Sequence, residues 1–447
     1  MRPARTLSIP SPSLVVMIGI AGSGKTTFCR RHFKASQIVS SDDARAAISG
    51  DASDQSVTGS AFALAHARTE ERLRRGLLTV FDATSVTPAA RRALLRLAER
   101  HHLPAVACLL DIPIERCIAQ DRVRPGRRVG RAVIARQSQT LAASLPGLSR
   151  EGFARVHRLG SPDVAARAAV ETVPLACDLR HEQGPFDFIG DVHGCARELS
   201  ELLRRLGYRR SSPRAPFRHP AGRRAVLLGD LVDRGPRVIE AVRIAMRMVD
   251  GGAAFCVPGN HEETLLRCLD GAPVKRSPGI LKSLQEIEAL PKPRRSRFVD
   301  GLRNFVGALP PHLVLDGGRL AAAHAGLKAE HVGRDSAEAR RFALRGETTG
   351  EIDQYGLPVR LHWAASYRGR ALVVYGHTPV TAPEWIHNTV NIDTGCVYGG
   401  RLTALRYPEQ TLVSVRAARR YYQAPRSLPP HVGLRAETRM EPRDDLR

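Results

Sequence analysis

The chain has 447 residues, which is long enough for two or three domains that each bury their own core. Its 68 Lys and Arg residues against 44 Asp and Glu residues give a formal charge of +24, which favours phosphate-bearing partners, although a GC-rich coding bias toward Arg would give the same charge. The eight cysteines are scattered and form no CxxC pair, which excludes a disulfide scaffold. No apolar run approaches the roughly 20 residues of a membrane helix, which excludes a membrane protein. Since no signal peptide is visible either, we expect a cytoplasmic chain.

Residues 1–160 alternate apolar runs with amphipathic stretches. Four short apolar runs have the composition of buried strands, at 14–20, 37–41, 77–84 and 105–111. Stretches with helical spacing follow two of these runs, at 88–102 and 130–144. This alternation predicts an α/β domain over 1–160, with a parallel sheet and flanking helices. Residues 161–184 show less pattern, and we interpret them as a linker.

A glycine-rich loop follows the first apolar run. GIAGSGKT (19–26) satisfies G-x-x-x-x-G-K-[ST] and stands between a predicted strand and a predicted helix, as a P-loop requires. Glycines let backbone N–H groups turn toward phosphates, the Lys reaches the β- and γ-phosphates, and the Thr hydroxyl can ligate Mg²⁺. The motif therefore predicts binding of ATP with Mg²⁺. We assign this role to Gly19, Gly22, Ser23, Gly24, Lys25, Thr26 and Thr27.

A kinase also needs a base beside the γ-phosphate. Asp42, which we place at the end of the second strand, can accept the proton of an attacking hydroxyl. Asp43 is the alternative base, or simply the acidic first residue of a helix. Asp82 ends the apolar run TVFD and fits either a carboxylate that orients a metal or water, or a capping residue at a strand end.

Several Arg residues stand in DRVRPGRRV (121–129), just before a helical pattern. A basic lid that closes over transferring phosphates has this composition, because guanidinium groups stabilise the developing charge. A solvated Arg-rich loop has the same composition. The spacing alone does not decide between the two.

A second series of apolar runs begins at 186, and each run ends in a Gly-bearing loop that carries Asp, Asn or His. The runs with their loops are FDFIGD (186–191), RAVLLGD (224–230), AAFCVPGN (253–260), RLAAAHAG (319–326) and ALVVYGHTP (371–379). Side chains at strand ends can converge at one edge of a sheet. Residues 262–312 have a polar, helical pattern, and we interpret them as an insertion. The predicted second domain covers 185–423, and we expect 424–447 to be a flexible tail.

The polar residues of these loops are ligands that a pair of divalent cations needs. Two cations a few ångströms apart require a bridging carboxylate, further carboxylate or amide oxygens, and imidazoles. Such a pair lowers the pKa of a bridging water, so that hydroxide is available for in-line attack on phosphorus. The predicted ligands are Asp191, His193 and Asp230 for the first cation, with Asp230 bridging to a second cation held by Asn260, His324 and His377.

Three neighbours of these ligands fit the rest of such a reaction. His261 is placed to protonate the leaving oxygen, and Asp233 can orient and charge it. Arg234 offers a bidentate grip on the phosphate. A single His is more often packed or solvent-facing than catalytic, but five Gly-flanked loops in a compatible order make coincidence a poor explanation.

The five loop segments resemble the binuclear metallophosphoesterase superfamily, in the branch that contains calcineurin-like protein phosphatases and bacterial diadenosine tetraphosphatases. A P-loop kinase followed by this domain is similar to the first two modules of bacterial polynucleotide kinase–phosphatases, which heal broken RNA ends. The segments GETTGEIDQYGLPVR (346–360), WAASYRG (363–369) and NIDTGCVYGGRLTALRYPE (391–409) support that similarity. The resemblance implies a P-loop kinase fold for the first domain and an α/β/β/α sandwich with a helical insertion for the second.

The resemblance also implies roles for particular residues. Asp42 becomes the base for a 5′-hydroxyl, the lid arginines fall among Arg124, Arg127 and Arg128, and Asp393 is either a further Asp near the site or a turn residue. The implied chemistry is 5′-phosphorylation with ATP and Mg²⁺, and removal of 2′,3′-cyclic or 3′-phosphate ends with two divalent cations such as Mn²⁺.

The implied partner is nucleic acid with damaged ends, and in particular RNA. An alternative is a kinase–phosphatase that acts on dinucleoside polyphosphates or phosphoproteins, since both sets of motifs read only phosphate. No K-x-D-G-like lysine motif of a ligase follows residue 409. We therefore expect sealing to need a separately encoded ligase.

Overall fold

The computed structural model describes residues 6–124, 128–354 and 358–423. Two compact units make up this part of the chain. Unit 1 extends to Leu175 and includes Arg334–Ala337, and unit 2 begins at Ala176 and comprises the rest. Among the described residues, no helix is both long enough and apolar enough to cross a bilayer. The predicted tail at 424–447 lies outside the described residues.

Unit 1 is built on a five-stranded parallel sheet with the strand order β3-β4-β2-β5-β6, beside a two-stranded parallel pair of β1 and β7. The central strand β2 is buried at every position, and Val15 lies between Val80 and Val106 on its neighbours. A continuous apolar run is therefore what this position requires. The strands are β1 (Thr6–Ser11), β2 (Leu14–Ile18), β3 (Ile38–Ser40), β4 (Thr79–Asp82), β5 (Ala105–Leu110), β6 (Arg155–Leu159) and β7 (Ala169–Pro174).

Helices connect and cover these strands. The helix after β4 shows why its sequence is helical, because the Thr87 hydroxyl accepts the backbone N–H of Ala90 at 3.2 Å, Pro88 occupies the first turn, and Leu94 is buried. The helices of unit 1 are α1 (Lys25–His32), α2 (Ser41–Ser49), α3 (Thr58–Arg74), α4 (Pro88–Arg100), α5 (Ile114–Val123), α6 (Arg131–Ser144) and α7 (Pro162–Arg167).

The segment predicted as a linker, 161–184, contains regular structure. It holds α7 and β7, and β7 pairs in parallel with β1, so that both belong to unit 1. No position of β7 is fully buried, and so it shows no apolar run in the sequence. The chain passes from unit 1 to unit 2 between Leu175 and Ala176.

Unit 2 contains two larger sheets, with strand orders β11-β10-β9-β19-β20 and β17-β18-β16-β13-β12-β8, and a small antiparallel pair of β14 and β15. Phe188 and Val226 from the first sheet share one buried cluster with Leu313 and Val374 from the second, so the sheets pack face to face. The strands are β8 (Asp178–Leu179), β9 (Phe186–Ile189), β10 (Arg224–Leu227), β11 (Ala254–Cys256), β12 (His312–Leu315), β13 (Leu320–Ala323), β14 (Thr348–Ile352), β15 (Pro358–Arg360), β16 (Leu372–Tyr375), β17 (Glu384–Ile386), β18 (Thr389–Asn391), β19 (Arg401–Tyr407) and β20 (Thr411–Arg416).

Helices cover the outer faces of this sandwich. Leu199 and Val242 pack on the first sheet, and Phe342 packs on the second. The predicted insertion at 262–312 consists mainly of three helices. The helices of unit 2 are α8 (Ala196–Arg205), α9 (Val238–Asp250), α10 (Asn260–Leu269), α11 (Pro278–Glu288), α12 (Lys292–Ala308) and α13 (Ala337–Arg345). The predicted α/β class is confirmed in both units, and each of the nine predicted strand runs contains a strand.

Candidate functional site

The P-loop of unit 1 has the backbone that its glycines allow. Gly22 and Gly24 have φ of 78° and 88°, in the left-handed region, and Gly24 immediately precedes α1. A Cβ on Gly22 would lie 2.2 Å from the carbonyl oxygen of Cys117, so only glycine fits there. The loop therefore presents the N-terminus of α1, where backbone N–H groups favour an anion.

Lys25 and Thr26 begin the helix behind this loop. The Lys25 ammonium is buried and donates to the carbonyl of Ile20 at 2.9 Å. The Thr26 hydroxyl donates to Oδ2 of Asp82 at 2.7 Å, and Asp82 is the last residue of β4. Burial raises the pKa of Asp82, which is opposed by the bond from Thr26. A hydroxyl paired with a strand-end carboxylate is the donor set of a Mg²⁺ site beside phosphates.

Asp42 lies in a different position from the one predicted. The strand ends at Ser40, and the Ser40 hydroxyl accepts the backbone N–H groups of Asp42 and Asp43 at 3.1 and 3.3 Å. This cap starts α2 at Ser41, so both Asp residues lie in the first turn of a helix rather than at a strand end or at its first position. The Asp42 carboxylate is paired with Arg45 and lies 3.9 Å from Nη2 of Arg124.

The remaining lid arginines are described only in part. Arg127 lies outside the described residues, and Arg128 is exposed. The Asp121 carboxylate accepts the backbone N–H groups of Val129 and Gly130 at 2.9 to 3.1 Å, and so fixes the chain just before α6. Of the two predicted lid arginines that lie within the described residues, Arg124 has its guanidinium 3.9 Å from Asp42.

In unit 2 the five Gly-bearing loops follow β9, β10, β11, β13 and β16. The first three strands are parallel neighbours in one sheet, and the last two are parallel neighbours in the other. Their carboxyl ends therefore meet at one edge of the sandwich. Five residues of these loops have left-handed backbone, with φ between 42° and 71°, which is a costly conformation for a side chain and is often found at functional sites. They are His193, Asp230, Asp233, Arg234 and His377.

The predicted metal ligands form one buried cluster around Asp230. Its Oδ2 lies 3.4 Å from Nε2 of His193, and its Oδ1 lies 3.4 Å from Nε2 of His324. Two groups of possible ligand atoms share Asp230, one with His193 and His261 and the other with His324 and His377. Asp230 is thus the residue that the two groups share, as a bridging ligand would be.

Asp191 contacts the group that contains His324 and His377. Its two carboxylate oxygens accept the backbone N–H of His377 at 3.2 and 3.1 Å, and its Oδ1 lies 4.0 Å from Nδ1 of His324. His261 lies beside His193, with a ring-centroid distance of 4.9 Å, and its Nε2 lies 3.8 Å from Oδ2 of Asp230. The bonds to Asp191 come from the backbone of His377 and do not assign Asp191 to either cation, so the predicted set of Asp191, His193 and Asp230 stays a prediction.

The donor set fits divalent cations. Nδ1 of His193 donates to the carbonyl of Val232 at 2.8 Å, and Nδ1 of His324 donates to that of Leu228 at 2.9 Å. These bonds leave the Nε2 lone pairs facing inward, which is the usual orientation of a metal-binding His. Nε2 of His324 then faces Oδ1 of Asn260 at 3.0 Å and Nδ1 of His377 at 2.9 Å. Imidazole nitrogens and an amide oxygen that face one another in this way could together hold one divalent cation.

Electrostatics supports the same conclusion. Burial lowers the pKa of His193, His324 and His377, so that these imidazoles are neutral lone-pair donors at neutral pH. Burial and then the charge of Asp393 raise the pKa of Asp191. Several buried carboxylates in one place are costly unless cations neutralise them.

Asp393 is both a turn residue and a neighbour of the cluster. Its Oδ1 accepts the backbone N–H of Gly395 at 3.0 Å, and burial raises its pKa. Asp393 can therefore be a turn residue and also lie near the site, the two alternatives that the sequence left open.

His261 lies in a chain of polar contacts that begins on the helical insertion. Its Nδ1 donates to Oδ2 of Asp233 at 2.6 Å, and the Ser283 hydroxyl of α11 donates to Oδ1 of Asp233 at 2.5 Å. The Arg234 guanidinium donates to Nε2 of His193 at 2.6 Å and to Nε2 of His261 at 2.9 Å. Its planar group also lies 5.5 Å from the ring centre of Tyr398.

Sequence reasoning missed two residues that shape this site, Glu262 and Ser283. The buried Glu262 carboxylate accepts four backbone N–H groups at 2.7 to 3.1 Å, from Asp230, Leu231, Val232 and Gly259. It stands within the GNHE segment at the third position of α10, where a Glu often bonds back to the residue before a helix. That position was the available signal for Glu262, whereas nothing local marks Ser283.

Comparisons with known proteins agree with this geometry. The calcineurin-like phosphoesterase family matches residues 184–413, and the AAA domain matches residues 14–144. Three relatives carry the name bis(5′-nucleosyl)-tetraphosphatase PrpE [asymmetrical]. The one from Anoxybacillus flavithermus is 42% identical over 53% of this chain and 96% of its own length. The one from Geobacillus thermodenitrificans is 46% identical over 51% of this chain and 93% of its own length. The one from Bacillus subtilis is 41% identical over 53% of this chain and 96% of its own length. These relatives align with about half of this chain.

Proposed function

This chain belongs to the calcineurin-like phosphoesterase family, and from that premise we propose that it repairs the ends of nucleic acids with two separate centres. Unit 2 would remove 3′-phosphate or 2′,3′-cyclic phosphate, and unit 1 would transfer the γ-phosphate of ATP to a 5′-hydroxyl. The observation that carries the proposal is the presence of both a P-loop with its Thr26–Asp82 pair and a two-cation donor set in one chain. The formal charge of +24 also favours a polyanionic partner.

In unit 2, two bound divalent cations, Mn²⁺ or a similar ion, would supply Lewis acidity and an activated water. The protein residues have the complementary tasks. His261 delivers a proton to the leaving oxygen, and Asp233 stabilises its protonated form through their 2.6 Å bond. Arg234, which contacts both His193 and His261, binds the phosphate and stabilises the charge that develops on it.

In unit 1, the amides at the start of α1 and the Lys25 ammonium bind the ATP phosphates. Thr26 and Asp82 hold Mg²⁺. Asp42 accepts the proton of the 5′-hydroxyl, and Arg45 orients its carboxylate from the next turn of α2. Arg124, 3.9 Å from Asp42, approaches the transferring phosphate from the segment before α6.

A pair of variants tests the two halves against each other. The chain is incubated with Mg²⁺, Mn²⁺, labelled ATP and an oligonucleotide that carries a 5′-hydroxyl and a 3′-phosphate. We expect label at the 5′ end and release of inorganic phosphate from the 3′ end. Lys25→Ala should abolish only the first reaction and Asp191→Ala only the second. If the wild-type chain transfers no label and releases no phosphate from the oligonucleotide, the proposal is wrong.

A second candidate is asymmetric hydrolysis of dinucleoside tetraphosphates. It is favoured by the relatives of that name, which are 41–46% identical to this chain over about half of its length. Salt separates the two candidates, because binding of a nucleic acid weakens steeply with salt as its phosphate contacts are lost. End repair is favoured if salt raises the KM for the oligonucleotide far more than the KM for diadenosine tetraphosphate. The second candidate is favoured if the chain turns over only the tetraphosphate.

A further inference from the structure

A pocket of about 630 Å³ lies beside the candidate metal centre in unit 2. Asn260 and His377, two of the predicted metal ligands, form part of its wall, so the pocket and the centre are continuous. Its volume falls within the roughly 300–1,000 Å³ that is usual for ligand sites, and it is larger than one phosphate group needs. The pocket therefore has room for the part of a substrate that lies beyond the phosphate being attacked.

The lining of this pocket is mainly cationic. Four basic side chains and two acidic ones line it, and helix α13 supplies half of these charged residues. The basic residues are Lys328, Arg341, Arg345 and Arg360, and the acidic residues are Glu338 and Glu347.

Some of this charge is already neutralised. The Lys328 ammonium lies 2.8 Å from Glu347, and Arg345 is paired with Glu263 outside the pocket. Arg341 forms no ion pair with any residue that the structure describes, although it stands on α13 between Glu338 and Arg345. Its guanidinium group is exposed and can form two parallel bonds with a phosphate.

Resting on the phosphoesterase function proposed above, we propose that this pocket binds a second, non-scissile phosphate of the substrate, and that Arg341 contacts that phosphate directly. The second phosphate has one of two sources. In a strand end it is the neighbouring phosphodiester, and in a dinucleoside polyphosphate it is the adjacent phosphate of the chain. A phosphoprotein or a simple phosphomonoester has no such group and gains nothing from the pocket. The pocket therefore selects nucleotide-bearing substrates.

The test uses the full chain with Lys25→Ala in every protein, which removes binding of polyphosphates at the P-loop. Arg341→Gln is compared with Arg340→Gln, its neighbour on the same exposed part of α13, which does not line the pocket. The substrates are diadenosine tetraphosphate, a 3′-phosphorylated oligonucleotide and phenyl phosphate. For each protein, the KM for a substrate with a second phosphate is divided by the KM for phenyl phosphate. We expect Arg341→Gln to raise this ratio about tenfold, because it removes one charge-assisted hydrogen bond. Arg340→Gln should leave that ratio within about twofold.

Equilibrium binding provides a readout that is independent of turnover. Inorganic tripolyphosphate is titrated calorimetrically into the same proteins in excess EDTA, and we expect Arg341→Gln, but not Arg340→Gln, to weaken its affinity about tenfold. An increase in KM for the tetraphosphate alone assigns the pocket to polyphosphates, and an increase for the oligonucleotide alone assigns it to a strand. Equal KM ratios and equal tripolyphosphate affinities in the two variants would overturn the inference. If the Lys25→Ala chain with Arg341 intact hydrolyses none of the substrates but binds tripolyphosphate more tightly than Arg341→Gln does, the proposed function would be overturned instead.

Discussion

Replacing Asp233 with Asn tests the role of His261 with little disturbance of the backbone. Asp233 has a φ of 71°, and Asn tolerates this left-handed conformation better than other neutral residues of similar size. The change removes the negative charge from a buried group that accepts a 2.6 Å bond from His261. Because a hydrogen bond to a charged group contributes about 1.5–3 kcal/mol and a neutral one about 1 kcal/mol, the loss is about 1–2 kcal/mol. We expect kcat to fall about 5- to 30-fold.

The leaving group distinguishes proton delivery from a general loss of activity. A poor leaving group needs the proton from His261, whereas p-nitrophenolate leaves with little help. Steady-state kinetics should therefore show the full loss with phenyl phosphate and a much smaller one with p-nitrophenyl phosphate. Ser283→Ala, which removes the hydroxyl bonded to the other oxygen of Asp233, should produce a smaller loss with the same preference. Equal losses with both substrates, or none with either, would refute the reasoning, provided that the melting temperature stays within a few degrees of the wild type.

Three further predictions concern other parts of the chain. Glu262→Gln replaces one of the two oxygens that accept backbone N–H groups with an amide nitrogen that donates. We therefore expect the free energy of unfolding, measured by denaturant titration, to fall by about 2–4 kcal/mol. An unchanged value would show that these loops do not need Glu262. Burial lowers the pKa of His312 from 6.5 to about 3, and its Nε2 accepts the N–H of Gly333. Between these two pH values the imidazole is protonated in the unfolded chain but not in the folded one. The free energy of unfolding is therefore unchanged above pH 6.5 and falls by about 2 kcal/mol between pH 6.5 and pH 5. His312→Gln, which keeps an acceptor, should lose less stability over that range, and parallel pH profiles would contradict the assignment. Gly22→Ala places a Cβ against the carbonyl of Cys117, so we expect the loop to lose its binding of a fluorescent ATP analogue. An unchanged affinity for the analogue would show that the loop does not bind ATP in this conformation.

Buried, uninterrupted patterns were the predictable part of the fold. The apolar runs that became β2 and β10 are nearly or fully buried, and a strand with both faces covered shows itself in sequence. Strand β7 lies mostly at the surface, and the β14–β15 pair is exposed along most of its length. Such strands are defined by their partners rather than by their own composition, and the sequence therefore showed none of them.

The candidate residues of the site could be named from the sequence for a different reason. Metal ligands are restricted to a few residue types, so the Asp, Asn and His residues after Gly-flanked strand ends could be named. Which of these residues contact one another depends on loop geometry, and the bond between the Asp191 carboxylate and the backbone N–H of His377 has no signal in the sequence. The contact of Ser283 with Asp233 brings together residues far apart in the chain, and no local pattern indicates it.

The left-handed residues explain why this loop geometry is costly and why it needs support. Each non-glycine residue in this conformation costs about 1 kcal/mol or more, so the five at the site together cost at least about 5 kcal/mol. That amount is comparable with the whole net stability of a typical domain. The opposing contributions come from bonds inside the site, since Glu262 holds the amides from Asp230 to Val232 and the carbonyl of Asp230 accepts the amide of His193 at 2.7 Å. Glycine would remove the strain at Asp230 or His377, but it would also remove a predicted metal ligand. The strained backbone is therefore expected where these positions must carry a particular side chain.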